Sequence, residues 1–505
     1  MRLIVGTETN TALIFAQQIQ FQLIKHGQSV DIVMGNELEN CKEIFGCSFI
    51  LSTYGQGEMP SSIIKLWMQL MSKNPPSING TVCIYGVGDS FYNQYNYAAK
   101  KLNRRLQQLG INTKLVLGDS QQGYTSTLRE FTELLLSQLG KETIREDLSK
   151  FVVQLSDKLV IPINYLDYEQ LELIVNKRLT PKDHFQSTHH LELKTTTSNV
   201  PGDILAIIPQ SIPSEVQLVL ELTGWDPELS IKLENGIQTV PSYLSGSYSI
   251  EYILTHIVDI HALPGPSFFY VLYQAGKDLE LERKTEILNR LLALSDFDDM
   301  YTLYISKPKR TAVEVLIDFE SIVRHVNCKF IFDLFPFHSP RQFSIASCLP
   351  NQFDLCIAVV QYKTTMKTDR IGLCTTYLKN TKENDLIWCK LIKNPIRVKA
   401  PLLMIATGTG VAIPRAIMHQ IGSSLQSIFI FGCRLPNVDD YYKNEFEQLN
   451  YIPVYSRIDN MYVQDKYEAL NIDLNNFKNI VITGSKNLQD FQTKIKLKGV
   501  QYEIY

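Results

Sequence analysis

The chain has 505 residues, of which 45% are hydrophobic and 20% are charged, and its mean hydropathy is −0.07. This composition excludes a disordered, collagen-like or mostly membrane-embedded protein. Lys and Arg together number 49 and Asp and Glu 52, so the net charge of −3 gives no general argument for nucleic acid or for a strongly charged partner.

Short apolar strands alternate with helical patterns over residues 1–140. The strands end in polar or glycine-containing turns, and they are Leu3-Ile4-Val5, Phe49-Ile50-Leu51, Val82-Cys83-Ile84-Tyr85 and Lys114-Leu115-Val116-Leu117. This alternation is typical of a doubly wound parallel sheet. Ligands bind such sheets beyond the carboxyl ends of the strands, so we expect a site in the turns that follow them.

The rest of the chain changes character several times, and at about 150 residues per domain the length predicts about three domains. Residues 141–165 are charged and lack a clear period, which indicates a linker or a connecting helix. Strand patterns and helical periodicity then follow each other, with strands over about 166–205, helices over about 213–335, strands near 343–346 and 353–362, and an α/β segment from about 401 onward.

The nine cysteines are odd in number, and no two of them have CxxC spacing. This fits neither a disulfide framework nor a zinc site, so we predict no metal and a reducing compartment. No apolar run reaches the roughly 18–20 residues of a membrane span. The first residues predict a strand with no signal peptide before it, so we expect a cytoplasmic protein, with mitochondrial association as a secondary expectation.

Three turns of the first segment suit an aromatic ligand that carries a phosphate. They span residues 6–12, 52–60 and 86–93. The first has clustered hydroxyls and the free N–H groups of a helix that begins near Ala12, which can hold a phosphate. The other two place glycines beside Tyr54 and Tyr92, whose flat rings can stack. Each turn alone also fits an ordinary helix cap or surface loop, but all three converge on one crevice.

These turns resemble the three flavin mononucleotide (FMN) loops of flavodoxin-like domains. The resemblance implies that Thr7 to Ala12 hold the phosphate, that Tyr54 and Tyr92 enclose the isoalloxazine ring, and that Asp119 makes a fourth contact. The FMN-binding residues that it implies are Thr7, Glu8, Thr9, Asn10, Thr11, Ala12, Ser52, Thr53, Tyr54, Gly55, Gly57, Gly88, Tyr92, Asn96 and Asp119. Asn10 stands where the family usually has Gly, and Asn tolerates left-handed backbone better than most residues.

Four patterns in the second half of the chain also suit anionic ligands. One places a cation, an aromatic and a hydroxyl on a strand. Two are glycine turns that precede helices, and the fourth is a hydroxyl–guanidinium pair. The patterns are Arg341-Gln342-Phe343-Ser344, Gly372-Leu373-Cys374-Thr375-Thr376, Gly408-Thr409-Gly410 and Ser456-Arg457. Taken singly, the Arg341, Gly372 and Ser456 patterns are better explained by a solvated arginine, a capped helix and an exposed loop, and a lone Gly-x-Gly is weak evidence.

Together these patterns resemble the ferredoxin-reductase-like half of the diflavin reductase family. The resemblance implies that Arg341 binds the FAD pyrophosphate, that Phe343 packs on the flavin, and that Ser344 lies near its N5. The catalytic residues that it implies are Ser344, Glu503 and Tyr505. Further FAD contacts are implied for Gln342, Gly372, Cys374, Thr375 and Tyr505, and NADPH contacts for Thr409, Gly410, Arg415, Ser456, Arg457, Tyr462 and Gln464.

The resemblance covers nearly the whole chain and implies an α/β multidomain fold. The order is a flavodoxin-like doubly wound sheet, an FAD-binding β-barrel with a helical insertion, and a Rossmann-like NADP-binding domain. The boundaries that we predict are 1–140 for the FMN domain, 141–165 for the linker, 166–395 for the FAD domain with its insertion at about 213–335, and 396–505 for the NADP(H) domain. Two residues depart from the family pattern, since Asn460 stands where the family has Lys and Thr483 where it has Cys. These changes bear on NADPH affinity and on the rate of hydride transfer.

The family's activity implies electron flow from NADPH through FAD and FMN to a one-electron acceptor. Within the family, the segments 96–102, 184–186, 308–311 and 431–434 resemble the cytosolic members that serve iron–sulfur protein biogenesis. This implies an anamorsin-type iron–sulfur protein as acceptor, no nucleic acid, no membrane anchor and a monomer.

Two alternatives to that acceptor stay open on the sequence alone. In the first, the acceptor is a haem protein or a sulfite-reductase partner. In the second, the chain is a flavin-binding scaffold with impaired NADPH turnover. Four clustered cations, Lys100, Lys101, Arg104 and Arg105, either contact an acidic partner or, as we favour, form a solvated helix face.

Overall fold

The computed structural model describes residues 1–8, 11–38, 43–53, 57–140, 148–156, 163, 165, 167–292, 297–422, 427–484, 488 and 501–502. The chain divides into two compact units. The first unit consists of Met1–Ile163 with Pro213–Phe337, and the second consists of Asn164–Ile212 with His338–Tyr505.

The N-terminal segment forms a parallel sheet with the strand order β2-β1-β4-β6-β7. Its strands are β1 Arg2–Gly6, β2 Asp31–Met34, β4 Cys47–Ser52, β6 Val82–Gly88 and β7 Thr113–Asp119, and a small separate pair is formed by β3 Glu43–Phe45 and β5 Ser77–Asn79. Its helices are α1 Thr11–Lys25, α2 Ile64–Leu70, α3 Tyr97–Gln108 and α4 Thr125–Leu139.

Helices cover both faces of this sheet, which confirms the predicted doubly wound, flavodoxin-like fold. Residues of α1 and α4 pack on one face, and residues of α2 and α3 pack on the other. Strands β4 and β6 are buried along most of their length, and this explains their continuous apolar runs. The strand order reverses between β1 and β4, so the crevice for a ligand lies beyond their carboxyl ends.

The segment predicted as a linker contains a strand, β8 Phe151–Leu155, within its described part. After it come β9 Glu169–Arg178, β10 Thr188–Lys194 and β11 Ile204–Ile207. Strand β8 pairs with β12 Ser230–Asn235, which also pairs with β13 Ser247–Ser249. Strand β8 shows no alternation in its sequence, because only Phe151 is buried and the side chains after it are half-buried or exposed.

Residues 213–337 are mainly helical, as the periodicity predicts. The helices are α5 Pro213–Thr223, α6 Ile250–Tyr252, α7 Pro266–Gly276, α8 Glu282–Leu292, α9 Ala312–Asp318, α10 Glu320–Val323 and α11 Ile331–Leu334. Ile253–Ile257 and Phe297–Ser306 are π-helical. Helix α9 begins with a capping box in which the Thr311 hydroxyl and the Glu314 carboxylate satisfy each other's backbone N–H groups.

In the second unit an antiparallel sheet has the strand order β14-β11-β18-β9-β10-β15. Its later elements are β14 Arg341–Ser344, β15 Gln352–Ala358, α12 Leu373–Asn380 and β18 Leu386–Ile392, with the short pair β16 Gln361–Tyr362 and β17 Arg370–Ile371. A bridge between Ile345 and Leu355 joins the two edges, so the sheet closes into the predicted barrel. Buried leucines of β9 and β10 help to fill its interior.

The last part of the chain forms a second parallel sheet, with the order β21-β20-β19-β22-β23. Its elements are β19 Leu402–Thr407, α13 Ala412–Ile421, β20 Ile428–Cys433, α14 Lys443–Phe446, β21 Asn450–Tyr455, α15 Val463–Ala469, β22 Asn479–Thr483 and β23 Gln501–Tyr502. This is the predicted Rossmann-like domain, and its turn 408–411 lies between β19 and α13. None of the helices in the described ranges is both long and apolar enough to cross a bilayer.

Candidate functional site

The first turn of the parallel sheet is built around Thr7. Its backbone N–H donates to Ser62 Oγ at 2.8 Å, and Ser62 Oγ donates back to the Thr7 carbonyl at 2.8 Å. Among the described residues the buried Thr7 hydroxyl has no partner. A buried hydroxyl without a partner is costly, and a phosphate oxygen at this turn would satisfy it. Thr9 and Asn10 lie outside the described residues.

Glu8 belongs to the same turn but serves a different purpose. Its carboxylate accepts a hydrogen bond from the Ser61 N–H at 2.8 Å, so it ties the turn to the segment before α2. A carboxylate would repel a phosphate, so this contact gives Glu8 a structural role in the turn. Thr11 begins α1 at the surface, whereas Ala12 is buried in the core.

The second turn is held by α3. Thr53 Oγ1 accepts a hydrogen bond from the Ala98 N–H at 3.2 Å, near the start of that helix. Gly57 has a φ of +101°, and Lys101 Nζ donates to its carbonyl at 2.8 Å while lying over the Tyr97 ring. Ser52 makes a longer bond to the Gly6 carbonyl at 3.4 Å. Tyr54 and Gly55 lie outside the described residues.

The third turn needs glycine because Asn96 lies directly beneath it. A Cβ on Gly88 would lie 2.6 Å from Asn96 Oδ1. Asn96 is buried in the left-handed region at a φ of +53°, and its Nδ2 donates to the Gly118 carbonyl at 2.8 Å. Tyr92, in contrast, is 69% exposed, so its ring can stack on a ligand.

Asp119 joins the third and fourth turns. One of its oxygens accepts hydrogen bonds from the Ser90 N–H at 2.9 Å and from the Gln121 N–H at 3.1 Å. The bond from the Ser90 backbone N–H is the main reason that the pKa of Asp119 is lowered from its ordinary value. The carboxylate therefore fixes the loops around the crevice.

The barrel carries the second group of predicted residues on β14. Arg341 is exposed, and its Nη1 donates to the Ser339 carbonyl at 3.2 Å. Gln342 is also exposed, and Phe343 is half-buried. The Ser344 Oγ atom is buried and has no hydrogen-bond partner in the part of the chain that the structure describes. A polar atom of a bound ring would satisfy that hydroxyl.

Gly372 is the N-cap of α12, as the glycine turn predicts. Thr375 Oγ1 donates to the Gly372 carbonyl at 3.1 Å and accepts from the Val360 N–H at 3.0 Å, so the protein already uses this hydroxyl. Burial raises the pKa of the Cys374 thiol to about 12, which leaves its backbone N–H as the group that suits a phosphate. The neighbouring Thr376 hydroxyl is also buried, and it has no hydrogen-bond partner among the described residues.

The turn between β19 and α13 has close backbone packing on both sides. Gly408 has a φ of +55°, and a Cβ on Gly410 would lie 2.7 Å from the Gly484 Cα. The fully buried Thr483 donates its hydroxyl to the Gly410 carbonyl at 2.7 Å. Thr483 stands where the resemblance leads us to expect a cysteine, and here its hydroxyl fixes the turn.

This turn opens into a cavity of about 520 Å³ within the second unit. The predicted residues that line it are Thr409, Gly410, Ser456, Tyr462 and Gln464. Arg457 is exposed on the loop after β21. In that loop the Asp459 carboxylate accepts from the Tyr455 N–H at 2.8 Å, and Asn460 has a φ of +52°. The left-handed backbone favours asparagine over lysine at position 460.

Two residues that line this cavity were not assigned to the site from the sequence. The Arg434 guanidinium lies 3.9 Å from the centre of the Phe185 ring, at the carboxyl end of β20. The position of Arg434 directly after a buried strand of the parallel sheet could have indicated that it belongs to the site. Phe185 lies on the loop between β9 and β10, and no local pattern connects that loop to this cleft.

Comparisons with known proteins agree with this arrangement. The flavodoxin family model matches residues 3–131, and the FAD binding domain model matches residues 168–377. An NADPH-dependent diflavin oxidoreductase 1 from Danio rerio is 32% identical over 476 residues, covering 83% of this chain and 79% of the relative. The chain belongs to the NADPH-dependent diflavin oxidoreductase family.

Other relatives of this diflavin oxidoreductase carry the same name. The one from Xenopus laevis is 30% identical over 83% of this chain and 79% of its own length, and the one from Candida albicans is 27% identical over 92% and 87%. Among solved structures, a ferredoxin-NADP+ reductase from Plasmodium falciparum aligns with a TM-score of 0.37 and 14% identity, covering 69% of this chain and all of that one. That last alignment is too remote to add to the fold described above.

The diflavin oxidoreductase uses FMN, FAD and NADPH, and its residues fit all three. The unpartnered hydroxyls of Thr7, Ser344 and Thr376 lie where the FMN phosphate, the flavin ring and the FAD phosphates would supply partners. The turn at Gly410 lines a cavity of the size that a dinucleotide end requires. Glu503 and Tyr505, the remaining predicted catalytic residues, lie outside the described residues.

Arg415 of the diflavin oxidoreductase is the predicted NADPH contact whose surroundings differ most from expectation. Its side chain is 8% exposed, and its guanidinium donates to Asp354, Glu445 and the Ala346 carbonyl. Its contacts are therefore with protein groups beside the cleft. The sequence gives no sign of this, because these partners lie 30 to 69 residues away along the chain.

Proposed function

We propose that this diflavin oxidoreductase passes electrons from NADPH through FAD and FMN to an anamorsin-type iron–sulfur protein of cytosolic iron–sulfur cluster assembly. The flavins supply the conversion of a hydride donor into a one-electron donor. The observation that carries the proposal is the exposure of the aromatic residues at the third flavodoxin turn. Phe91 is 83% exposed and Tyr92 is 69% exposed, so a folded protein can dock directly beside the FMN site.

The protein's own residues organise the two flavin sites for this transfer. In the first unit, Asp119 and Asn96 fix the turns around the FMN crevice. In the second unit, Thr483 fixes the dinucleotide turn, and Ser344 offers a buried hydroxyl to the FAD ring. Two of the residues that depart from the family pattern, Asn460 and Thr483, have definite structural roles, which supports NADPH turnover over a scaffold that only binds flavin.

The basic cluster on α3 contributes less to docking than its charges suggest. Lys100 Nζ donates to the Tyr95 carbonyl at 2.8 Å, Lys101 Nζ donates to the Gly57 carbonyl, and Arg105 Nε donates to the Leu70 carbonyl at 2.8 Å. These side chains hold the flavodoxin fold together. We therefore place the contact with the acceptor at the aromatic turn, and we infer a cytoplasmic, monomeric enzyme.

The proposal is tested by anaerobic mixing of the NADPH-reduced full-length protein with an oxidised anamorsin-type protein, followed by the iron–sulfur absorbance. We expect reduction within the time of a single turnover, and slower reduction of cytochrome c and of a sulfite-reductase haemoprotein. A Gly88→Ala variant provides the control, because it should lose FMN and with it the transfer to the protein acceptor, while ferricyanide is still reduced through FAD. Faster reduction of either haem protein would overturn the assignment of the acceptor.

A further inference from the structure

A buried ionic cluster lies next to the dinucleotide turn, outside the cavity itself. Arg415 Nε and Nη2 donate to the two oxygens of Glu445 at 2.7 and 3.2 Å. Arg415 Nη1 donates to Asp354 Oδ2 at 2.6 Å and to the Ala346 carbonyl at 3.1 Å. The guanidinium also lies 4.5 Å from the centre of the Tyr442 ring. One side chain thus holds two carboxylates, a carbonyl and an aromatic face.

These partners belong to both halves of the second unit. Arg415 is on α13, which begins directly after the Gly408–Val411 turn, and Glu445 is on α14 of the same domain. Asp354 is on β15 of the barrel, and Ala346 lies two residues beyond Ser344, where the strand that carries the flavin motif ends. The guanidinium therefore links the helix of the dinucleotide turn to β15 and to the segment that directly follows the strand of the flavin site.

The barrel side of the link is rigid because Asp354 and Ala346 are themselves fixed. Asp354 is 1% exposed, and its other oxygen accepts from Gln352 Nε2 at 2.6 Å. The Ala346 N–H donates to the Asp354 carbonyl at 2.7 Å. A planar guanidinium can meet a carboxylate through two parallel bonds and still reach a second acceptor, which a lysine ammonium cannot do with the same geometry. Charge alone would not reproduce this contact.

We propose that Arg415 is a positioning residue for hydride transfer, which sets the distance between the dinucleotide turn and the flavin strand without touching NADPH. With both cofactors bound, the chemistry would be the transfer of the NADPH C4 hydride, with both electrons of its C–H bond, to FAD, which would give NADP+ and reduced FAD. Such a transfer depends steeply on the separation of donor and acceptor. A loose link should therefore slow the transfer while the nucleotide still binds.

The experiment uses the full-length protein loaded with both flavins and an Arg415→Lys variant. The two readouts are the limiting rate of FAD reduction at saturating NADPH, measured anaerobically by stopped flow, and the Kd for NADP+, measured by calorimetry. We expect the limiting rate to fall by about 10²-fold, the scale of a misplacement of ~1 Å, and the Kd to change by less than about threefold. An Arg324→Lys variant is the matched control, because its guanidinium forms an exposed ion pair with Glu320, and we expect it to leave both the limiting rate and the Kd unchanged.

The outcomes separate positioning from the alternatives. A raised Kd with an unchanged limiting rate would show that Arg415 contacts the nucleotide and would overturn the proposal. A lowered melting temperature with wild-type rate and Kd would show a purely structural role and would also overturn it. If Arg415→Lys does not fold with FAD, Glu445→Gln takes its place, because it removes one carboxylate charge and keeps the shape. The same loss of rate with unchanged NADP+ affinity is expected of it, and an unchanged rate would refute the role of the link.

Discussion

Replacing Thr483 with valine should destabilise the dinucleotide turn and weaken NADPH binding. The Thr483 hydroxyl donates to the Gly410 carbonyl at 2.7 Å in a position with no solvent exposure. Four residues beyond Gly410 the chain has Pro414, which lacks the N–H that would serve this carbonyl in a continuous helix. The threonine side chain therefore supplies a donor that the backbone cannot provide.

The size of the effect follows from the burial of the pair. Valine has nearly the same shape as threonine, so the substitution removes the donor and leaves the Gly410 carbonyl buried without it. Leaving a buried acceptor unsatisfied costs about 1–3 kcal/mol. If that cost falls on the form of the turn that binds the nucleotide, the Kd for NADP+ rises by ~5- to 150-fold. FMN content should not change, because the FMN turns lie in the first unit.

The assay is calorimetric titration of the full-length variant with NADP+, together with thermal unfolding. Thr483→Ser is the matched control, since it keeps the hydroxyl and should bind NADP+ nearly as the wild-type protein does. The reasoning fails if Thr483→Val and Thr483→Ser have the same affinity and the same melting temperature, because the hydrogen bond would then contribute nothing to the turn.

Three further predictions concern other parts of the protein. Arg341→Ala should lose FAD and retain FMN, and unchanged FAD content in released-flavin analysis would contradict the assigned site. Gly88→Ala should lose FMN and retain FAD, because its Cβ would lie 2.6 Å from Asn96 Oδ1, and full FMN occupancy would refute that contact. Burial raises the pKa of Glu445, but hydrogen bonds from His419 and Arg415 outweigh it and lower that pKa from 4.5 to about 2. The stability that Glu445 adds should thus be present above pH 4.5 and be lost as the pH falls toward about 2, so the difference in melting temperature between wild type and Glu445→Gln should shrink over that range. A constant difference would exclude the ion pair as its source.

The parallel sheets were predictable from the sequence because their strands are buried on both faces and read as continuous apolar runs. The edge strand β2 and the linker strand β8 were missed, since their side chains are largely exposed or half-buried and show no clear period. The turns were predictable for a different reason. Gly88 is required by the close Asn96 side chain and Gly410 by the close Gly484 backbone, and each leaves a visible glycine in the sequence.

The roles of individual polar side chains were less predictable than the turns that carry them. Thr375 and Thr376 are neighbours with the same side chain, yet one hydroxyl bonds to the protein and the other has no partner in the described part of the chain. Arg415 follows a nucleotide turn in sequence but pairs with Asp354 and Glu445. Such partners are set by tertiary packing between distant segments, and no local pattern contains that information.

The most direct test of the account is an anaerobic titration of the purified full-length protein with NADPH, followed by its flavin absorbance. The account predicts equal amounts of FAD and FMN on the chain, both bleached by about two molar equivalents of NADPH, since each flavin takes up two electrons and each NADPH supplies two. A protein that binds only one flavin, or in which NADPH bleaches FAD and leaves bound FMN oxidised, would contradict it.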